Sequence, residues 1–455
     1  MTFDSIVIAV VMTGISSILV VATIISIAER EYKAALKLFA ICLVCLGLTY
    51  LLIFSNFQGK GLVATLLVAM ALIVIILFIK KPSLPKNYKW AHPRRSVDEI
   101  DTIFARMKLK PNTQHWEEYY SNHPYQATLD AKARSLPGLL SEKSLYYHPF
   151  VFSSAQVNFE IIDYLQKAIN HPVSKNSKRV KEENLSRYVK SWAQHLGVHS
   201  IGITDIQDYH LYTKRGRGEN IGKPVEQKHK FAIAFTIEMD FRNVQSAPAS
   251  SIVFESSQQY LKSATIALQL ASFLKNLGYD SRAHIDGDYE VICPLVAHDA
   301  GLGEIGRMGL LITPKLGPSV RIAAVTTNAP LQVDKAKPDP SVTEFCKFCK
   351  KCADCCPGRS IPFDSMKEID GVLRWQINSE ACYRYWCISG TDCGRCISVC
   401  PFSHPNNILH NSIRHLISRS RLMARFAYIA DDLLYGRKPK PKDLPNWMAG
   451  FKHRK

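Results

Sequence analysis

The sequence predicts a mixed α/β (α+β) protein with a layered sheet, carried on three membrane-spanning helices and followed by a compact cysteine-ligated module. Three observations point there. Long uncharged apolar runs open the chain, helix and strand patterns alternate through its middle, and its cysteines crowd near the end.

The 455 residues are enough for two or three domains with a substantial core. A formal net charge of +18 points to acidic partners such as anionic lipid or nucleic acid. No nucleic-acid motif accompanies the charge, which leaves membrane lipid as the expected partner.

The apolar runs cover 5–28, 38–55 and 61–79, each near the ~20 residues a bilayer requires. No basic stretch precedes the first, and two more spans follow it, which argues against a cleaved signal peptide. Arg30, Lys33 and Lys37 follow the first span, only Lys60 the second, and Lys80, Lys81, Lys86, Lys89, Arg94 and Arg95 the third. This bias puts the N-terminus outside and the rest in the cytoplasm, at the inner membrane. No histidine precedes His92, so the spans read as an anchor without haem ligands. Cys42 and Cys45, one helical turn apart, read as small apolar residues.

The expected organisation is an anchor over 1–81, a basic linker over 82–95, a catalytic domain over 96–330, a cysteine module over 331–410 and a basic segment over 411–455. Within the catalytic domain, "RYVKSWAQHLGVHSIGITDI" reads as an amphipathic helix stopped at Gly197 and followed by a strand. "KFAIAFTIEMD" reads as a strand by its β-branched and aromatic content. "YLKSATIALQLASFLKNLGYDSRAHI" has helical periodicity and stops at Gly278. Alternation of this kind predicts a layered sheet.

Thirteen cysteines gathered mostly between Cys346 and Cys400 suit metal ligation in a reducing compartment better than a disulfide framework. Cys346, Cys349, Cys352 and Cys356, followed by Pro357, fit C-x2-C-x2-C-x3-C-P. Three thiolates at that spacing hold one iron–sulfur cube, and the fourth crosses to a second. A zinc site has no use for the trailing Cys-Pro. The second run, Cys393-x2-Cys396-x3-Cys400-Pro401, has Gly390 where a ligand is expected. Cys382 in "EACYRYW" and Cys387 are the candidates for the missing thiolate, Cys382 the preferred one. Cross-ligation then gives Cys346, Cys349, Cys352 and Cys400 to one cluster, and Cys356, Cys382, Cys393 and Cys396 to the other. Cys355 falls out of frame. Two such clusters form a ferredoxin-like wire, and a wire implies a redox centre at its end.

From about Val97 to Gly436 the sequence resembles the reductive dehalogenases, corrinoid and iron–sulfur enzymes that remove halide from organohalides. The resemblance rests on "SVDEIDTIFAR", "KFAIAFTIEMD", "QQYLKSATIALQLASFLKNLGYDSRAHI", "AGLGEIGRMGLLITPKLGPSVRIAAVTTNAPL", both cysteine runs, "EACYRYW" and "DDLLYG". It implies a nitroreductase-like α/β core around a base-off cobamide, consistent with the lack of a D-x-H-x-x-G motif. The family's distant upstream cysteine matches Cys382. Its proton-donating tyrosine matches Tyr260, the neighbouring cation Arg321 with Arg307 in reserve, and a polar pocket residue Asp286. The implied partners are an organohalide substrate and an electron donor, either a quinol-linked protein, a ferredoxin or a flavodoxin. Two rivals remain: an epoxyqueuosine-reductase-like corrinoid enzyme, and a membrane-bound electron carrier using the cysteine module alone. Typical respiratory members carry a twin-arginine leader, in contrast to the three-span anchor read here.

Overall fold

A computed structural model of the chain describes residues 2–55, 57–80, 92–226, 228–336 and 339–449. The linker expected over 82–95 lies outside the described residues up to 91. The contacts form two compact units, one from Met1–Pro85 with Asn406–Pro439, the other from Lys86–Pro405 with Lys440–Lys455.

In the first unit, helices α1 (Phe3–Ala28), α2 (Tyr32–Phe54) and α3 (Lys60–Ile79) are each long and apolar enough to cross a membrane. The second opens at Tyr32, ahead of the apolar run that begins at 38. Its first turns carry Lys33 and Lys37, which long aliphatic stems allow at a span's end. Small side chains are buried in both α1 and α2: Ser16, Ala22 and Ser26 from α1, Ala34, Ala35 and Cys42 from α2. Cys42 donates its thiol to the Ser16 carbonyl at 3.7 Å. Small residues let two helices approach closely where lipid supplies no hydrophobic drive. Ile8 and Met12 of α1 pack on Ala64 of α3. Two further helices complete this unit, Ile408–Arg419 and Arg421–Tyr435, capped at their starts by the side chains of Asn407 and Ser420. Residues 411–435 are therefore helical structure within this unit.

The second unit is built on a four-stranded antiparallel sheet. Its strands are β1 (Ser200–Asp205), β2 (Phe231–Glu238), β3 (Ser281–His284) and β4 (Val320–Thr327), in the order β1-β2-β4-β3. Side chains alternate across a strand, and the two faces have different partners. Phe231, Ile233, Phe235 and Ile237 of β2, with Ala323 and Val325 of β4, share a core with the long helix Ser250–Asn276. Ala232, Ala234 and Ala324 share the opposite core with the short helix Cys293–Asp299. That second helix comes very close. A Cβ at Gly202 of β1 would stand 2.2 Å from the Ala300 carbonyl oxygen, so only glycine fits there.

The long helix ends as its sequence indicates, with Leu277 as cap and Gly278 beyond it at φ +89°. It begins ten residues before Tyr260, at Ser250. The serines of "SSIVFESSQQ" are poor helix formers in isolation, yet Ser250, Ser251, Ser256 and Ser257 are all buried against neighbours.

Candidate active site

Strand parity sets the site. Arg321 has the same parity as Ala323 and Val325, so it reaches toward the long helix from the start of β4. On that helix Ser256 and Tyr260 stand four residues apart and therefore on one face. The Arg321 guanidinium carbon lies 4.9 Å from the centre of the Tyr260 ring. Its Nη2 donates to Asp392 Oδ2 at 2.7 Å, and Arg321 and Asp392 each hydrogen-bond the Ser256 hydroxyl. Among the described residues none hydrogen-bonds the Tyr260 hydroxyl, and part of the side chain stays open.

Asp286 and Tyr289, from the turn after β3, and Arg217 stand within electrostatic reach of this group. Arg217 is held by Glu99, whose Oε1 accepts from its Nε at 2.7 Å, and it lies 5.5 Å from the Tyr289 ring centre. Burial dominates the electrostatics. It raises Tyr260 above the usual phenol range although Arg321 pulls the other way. It also raises Asp286, against Arg217, Lys108 and Arg321, and Asp392, against Arg321 and Ser256. Tyr260 therefore holds its proton at neutral pH.

The structure brings Tyr260, Arg321 and Asp286 together. Arg307 lies elsewhere: it donates to the Cys346 carbonyl at 3.0 and 3.1 Å and to the Pro362 and Asp364 carbonyls, with its guanidinium over Trp375. Its charge faces the first cysteine set. Arg217, Tyr289, Ser256 and Asp392 also belong to the group and carried no signal in the sequence, apart from the position of Asp392 directly before Cys393.

The cysteines fall into two sets. Cys400 lies within electrostatic reach of Cys346, Cys349 and Cys352. Cys396 lies within reach of Cys393, Cys382 and Cys356, and also of Cys352, so the two sets adjoin. Each run turns on a left-handed residue inside a C-x2-C pair: Lys350, between Cys349 and Cys352, at φ +54°, and Gly394, between Cys393 and Cys396, at φ +59°. Cys355 hydrogen-bonds Arg395 and Cys387 hydrogen-bonds Tyr383. Burial pushes Cys382 up to about 11 and Cys393 up to about 12, so only an electropositive centre makes them thiolates near neutrality. Among the described residues no three Cys, His, Asp or Glu side chains converge tightly enough for a single metal ion. An iron–sulfur cube takes four cysteine thiolates, and the eight thiols grouped here are enough for two.

A layered sheet domain joined to such a module defines an iron–sulfur redox protein. Residues 345–404 match the family model described as the 4Fe-4S dicluster domain. The tetrachloroethene reductive dehalogenase of Sulfurospirillum multivorans is 34% identical over 290 residues, 56% of this chain and 57% of that protein. The tetrachloroethene reductive dehalogenase of Desulfitobacterium hafniense is 35% identical over 198 residues, 41% of this chain and 35% of that one. The chain thus spans between about a third and somewhat over half the length of these curated relatives. The solved catabolic reductive dehalogenase NpRdhA shares the fold, with a TM-score of 0.59 and 24% identity over 76% of this chain and 49% of its own. Over the part these matches cover, the chain is similar to the tetrachloroethene reductive dehalogenases and has the fold of a solved reductive dehalogenase.

Proposed function

We propose that the chain is a membrane-anchored reductive dehalogenase, replacing carbon–halogen by carbon–hydrogen with two electrons and one proton and releasing halide. The observation that carries this reading is the Tyr260 hydroxyl, protonated, free of hydrogen bonds among the described residues and set beside Arg321, in the unit that also holds the eight clustered thiols.

The thiol sets would hold two 4Fe-4S clusters, with Cys346, Cys349, Cys352 and Cys400 on one and Cys356, Cys382, Cys393 and Cys396 on the other. The domain over 96–330 is read as a nitroreductase-like core for a base-off corrinoid. Arg321 Nε and Asp392 Oδ1 are buried without hydrogen-bond partners, which fits a polar group of a bound molecule at this place. When bound, a corrinoid supplies the metal centre that accepts single electrons and engages the carbon–halogen bond.

The chain's own residues do the rest. Tyr260 gives its hydroxyl proton to the carbon that gains negative charge. Arg321 stays cationic and lowers the cost of the phenolate left behind. Asp286 orients polar groups of the substrate and, with Asp392, restrains the two arginines. The open part of Tyr260 leaves a route for reprotonation from solvent.

The membrane reading places the protein at the inner membrane with its catalytic unit in the cytoplasm, supplied by a quinol-linked protein, a ferredoxin or a flavodoxin. Anaerobic purification with cobalt and iron analysis, then halide release from an organohalide panel under reduced viologen, tests the proposal. Cobalt with halide release is the expected result. Iron without cobalt or halide release leaves only an electron carrier.

A further inference from the structure

The helix Arg421–Tyr435 carries an apolar stripe turned away from its own unit. Leu422, Phe426, Ile429 and Leu433 are 70%, 66%, 60% and 58% exposed. At 100° per residue the four fall within about 60° of arc. The opposite face is packed, with Ala424 and Asp431 buried. Arg421 and Arg425, both exposed, lie along one edge of the stripe. A protein leaves so continuous an apolar patch bare only where something covers it.

The contacts within the unit say what that is. His410 and Asn407 hydrogen-bond Glu29, just past the end of α1, at 3.1 and 2.8 Å. Lys37 near the start of α2 donates to the Leu433 carbonyl. His415 meets the Phe78 carbonyl at 2.8 Å, and Arg419 donates to the Lys80 carbonyl, both at the end of α3. These are the ends of the three spans that share one side of a membrane. The helix is thus tied to the level where hydrocarbon gives way to headgroups, with apolar residues on one face and arginines at its edge.

We propose that Arg421–Tyr435 lies in the bilayer interface, its Leu422–Phe426–Ile429–Leu433 stripe among the upper acyl carbons and Arg421 and Arg425 at anionic headgroups. Such a helix binds by buried apolar area plus attraction to anionic lipid. This rests on the membrane-spanning reading of α1–α3, and it makes the chain's contact with lipid wider than the three spans.

The test uses the full chain in nanodiscs of phosphatidylcholine and phosphatidylglycerol, carrying Phe426→Trp. The added fluorescence, relative to the unsubstituted chain, is expected to be quenched by lipids brominated near the headgroup at least several-fold more than by aqueous iodide. Strong iodide quenching with no effect of brominated lipid overturns the proposal, and it is the result a face reserved for a partner protein gives. Leu422→Trp on the same stripe repeats the measurement should Phe426→Trp fold poorly. Failure of the unsubstituted chain to enter the nanodisc removes the spanning reading itself, and the interfacial helix with it.

Discussion

Arg321 and Asp392 form a buried ion pair, Nη2 to Oδ2 at 2.7 Å, between the strand that carries the cation and the residue next to Cys393. Both side chains are nearly closed to water, at 13% and 12% exposure. The cation beside Tyr260 is therefore held from two directions, by β4 and by the cysteine module, and a shift in one is felt in the other.

Arg321→Ala removes the counter-charge of Asp392 and leaves it only the Ser256 hydroxyl in that setting, so a loss of about 3 kcal/mol in stability is expected. Turnover should fall on the order of 100-fold, since the phenolate loses its counter-charge. Arg321→Lys keeps the charge without the planar fork and should recover part of the turnover. Unfolding midpoints and halide release read the two effects separately.

Tyr260→Phe removes only a hydroxyl that no group among the described residues bonds, so folding and iron content should be unchanged. Turnover should fall by roughly 100- to 10,000-fold. A proton donor works in its protonated form and fails as pH rises through its pKa. Burial raises that pKa above 10, so the wild-type rate should show no loss from this group across neutral pH, with decline only in strong alkali. Wild-type turnover in Tyr260→Phe would leave the tyrosine as helix packing alone.

Two cubes predict about eight iron atoms per chain. Cys382→Ser should disturb one cluster, because Cys382 stands with Cys356, Cys393 and Cys396. Cys355→Ser and Cys387→Ser should leave iron near the wild-type value, since those thiols bond Arg395 and Tyr383. Iron analysis and the electron spin resonance of each reduced variant decide it. Loss of iron from Cys387→Ser with none from Cys382→Ser would reverse the assignment.

What sequence makes legible here is what local chemistry decides. The three spans, the strand Phe231–Glu238 and the glycine stop at Gly278 are written in apolar runs, branching and punctuation. The extension of the long helix back to Ser250 is not, because burial of its serines by distant neighbours outweighs their propensity. Tyr260 and Arg321 drew notice through resemblance, while Arg217, Tyr289 and Asp392 join them through long-range packing that no spacing records. The segment over 411–455 reads as basic from its charge; the apolar stripe is visible only once Arg421–Tyr435 is seen as one helix.

The lysine and arginine bias predicts that reporters placed in the 29–37 loop and after Lys455 are both active in the cytoplasm. Hydrogen bonds joining the 408–435 helices to Glu29, Lys37 and Lys80 place them with the first of these sites. A reporter after Lys455 active only outside the membrane would reverse the orientation.

His298 gives the second unit a pH-dependent element away from the site. Its Nδ1 meets Asp299 at 2.8 Å and its Nε2 meets Glu304 at 3.2 Å. Burial alone disfavours the imidazolium, but these bonds outweigh it and push His298 up to about 9. Asp299 is held well below the usual carboxylate range: burial opposes this, and bonds from His210, His298 and Tyr209 overcome it. A raised histidine stabilises the fold fully below its unfolded value near 6.5 and loses that contribution as pH climbs through about 9. The carboxylate's share is present above about 4 and lost as pH falls below it. Stability should therefore be highest between about pH 4 and 6.5 as far as this cluster is concerned, with on the order of 3 kcal/mol lost toward pH 9. His298→Gln carries no titrating proton and should flatten the alkaline decline while lowering stability at pH 6. An alkaline decline of the same size in His298→Gln would place its origin in another group.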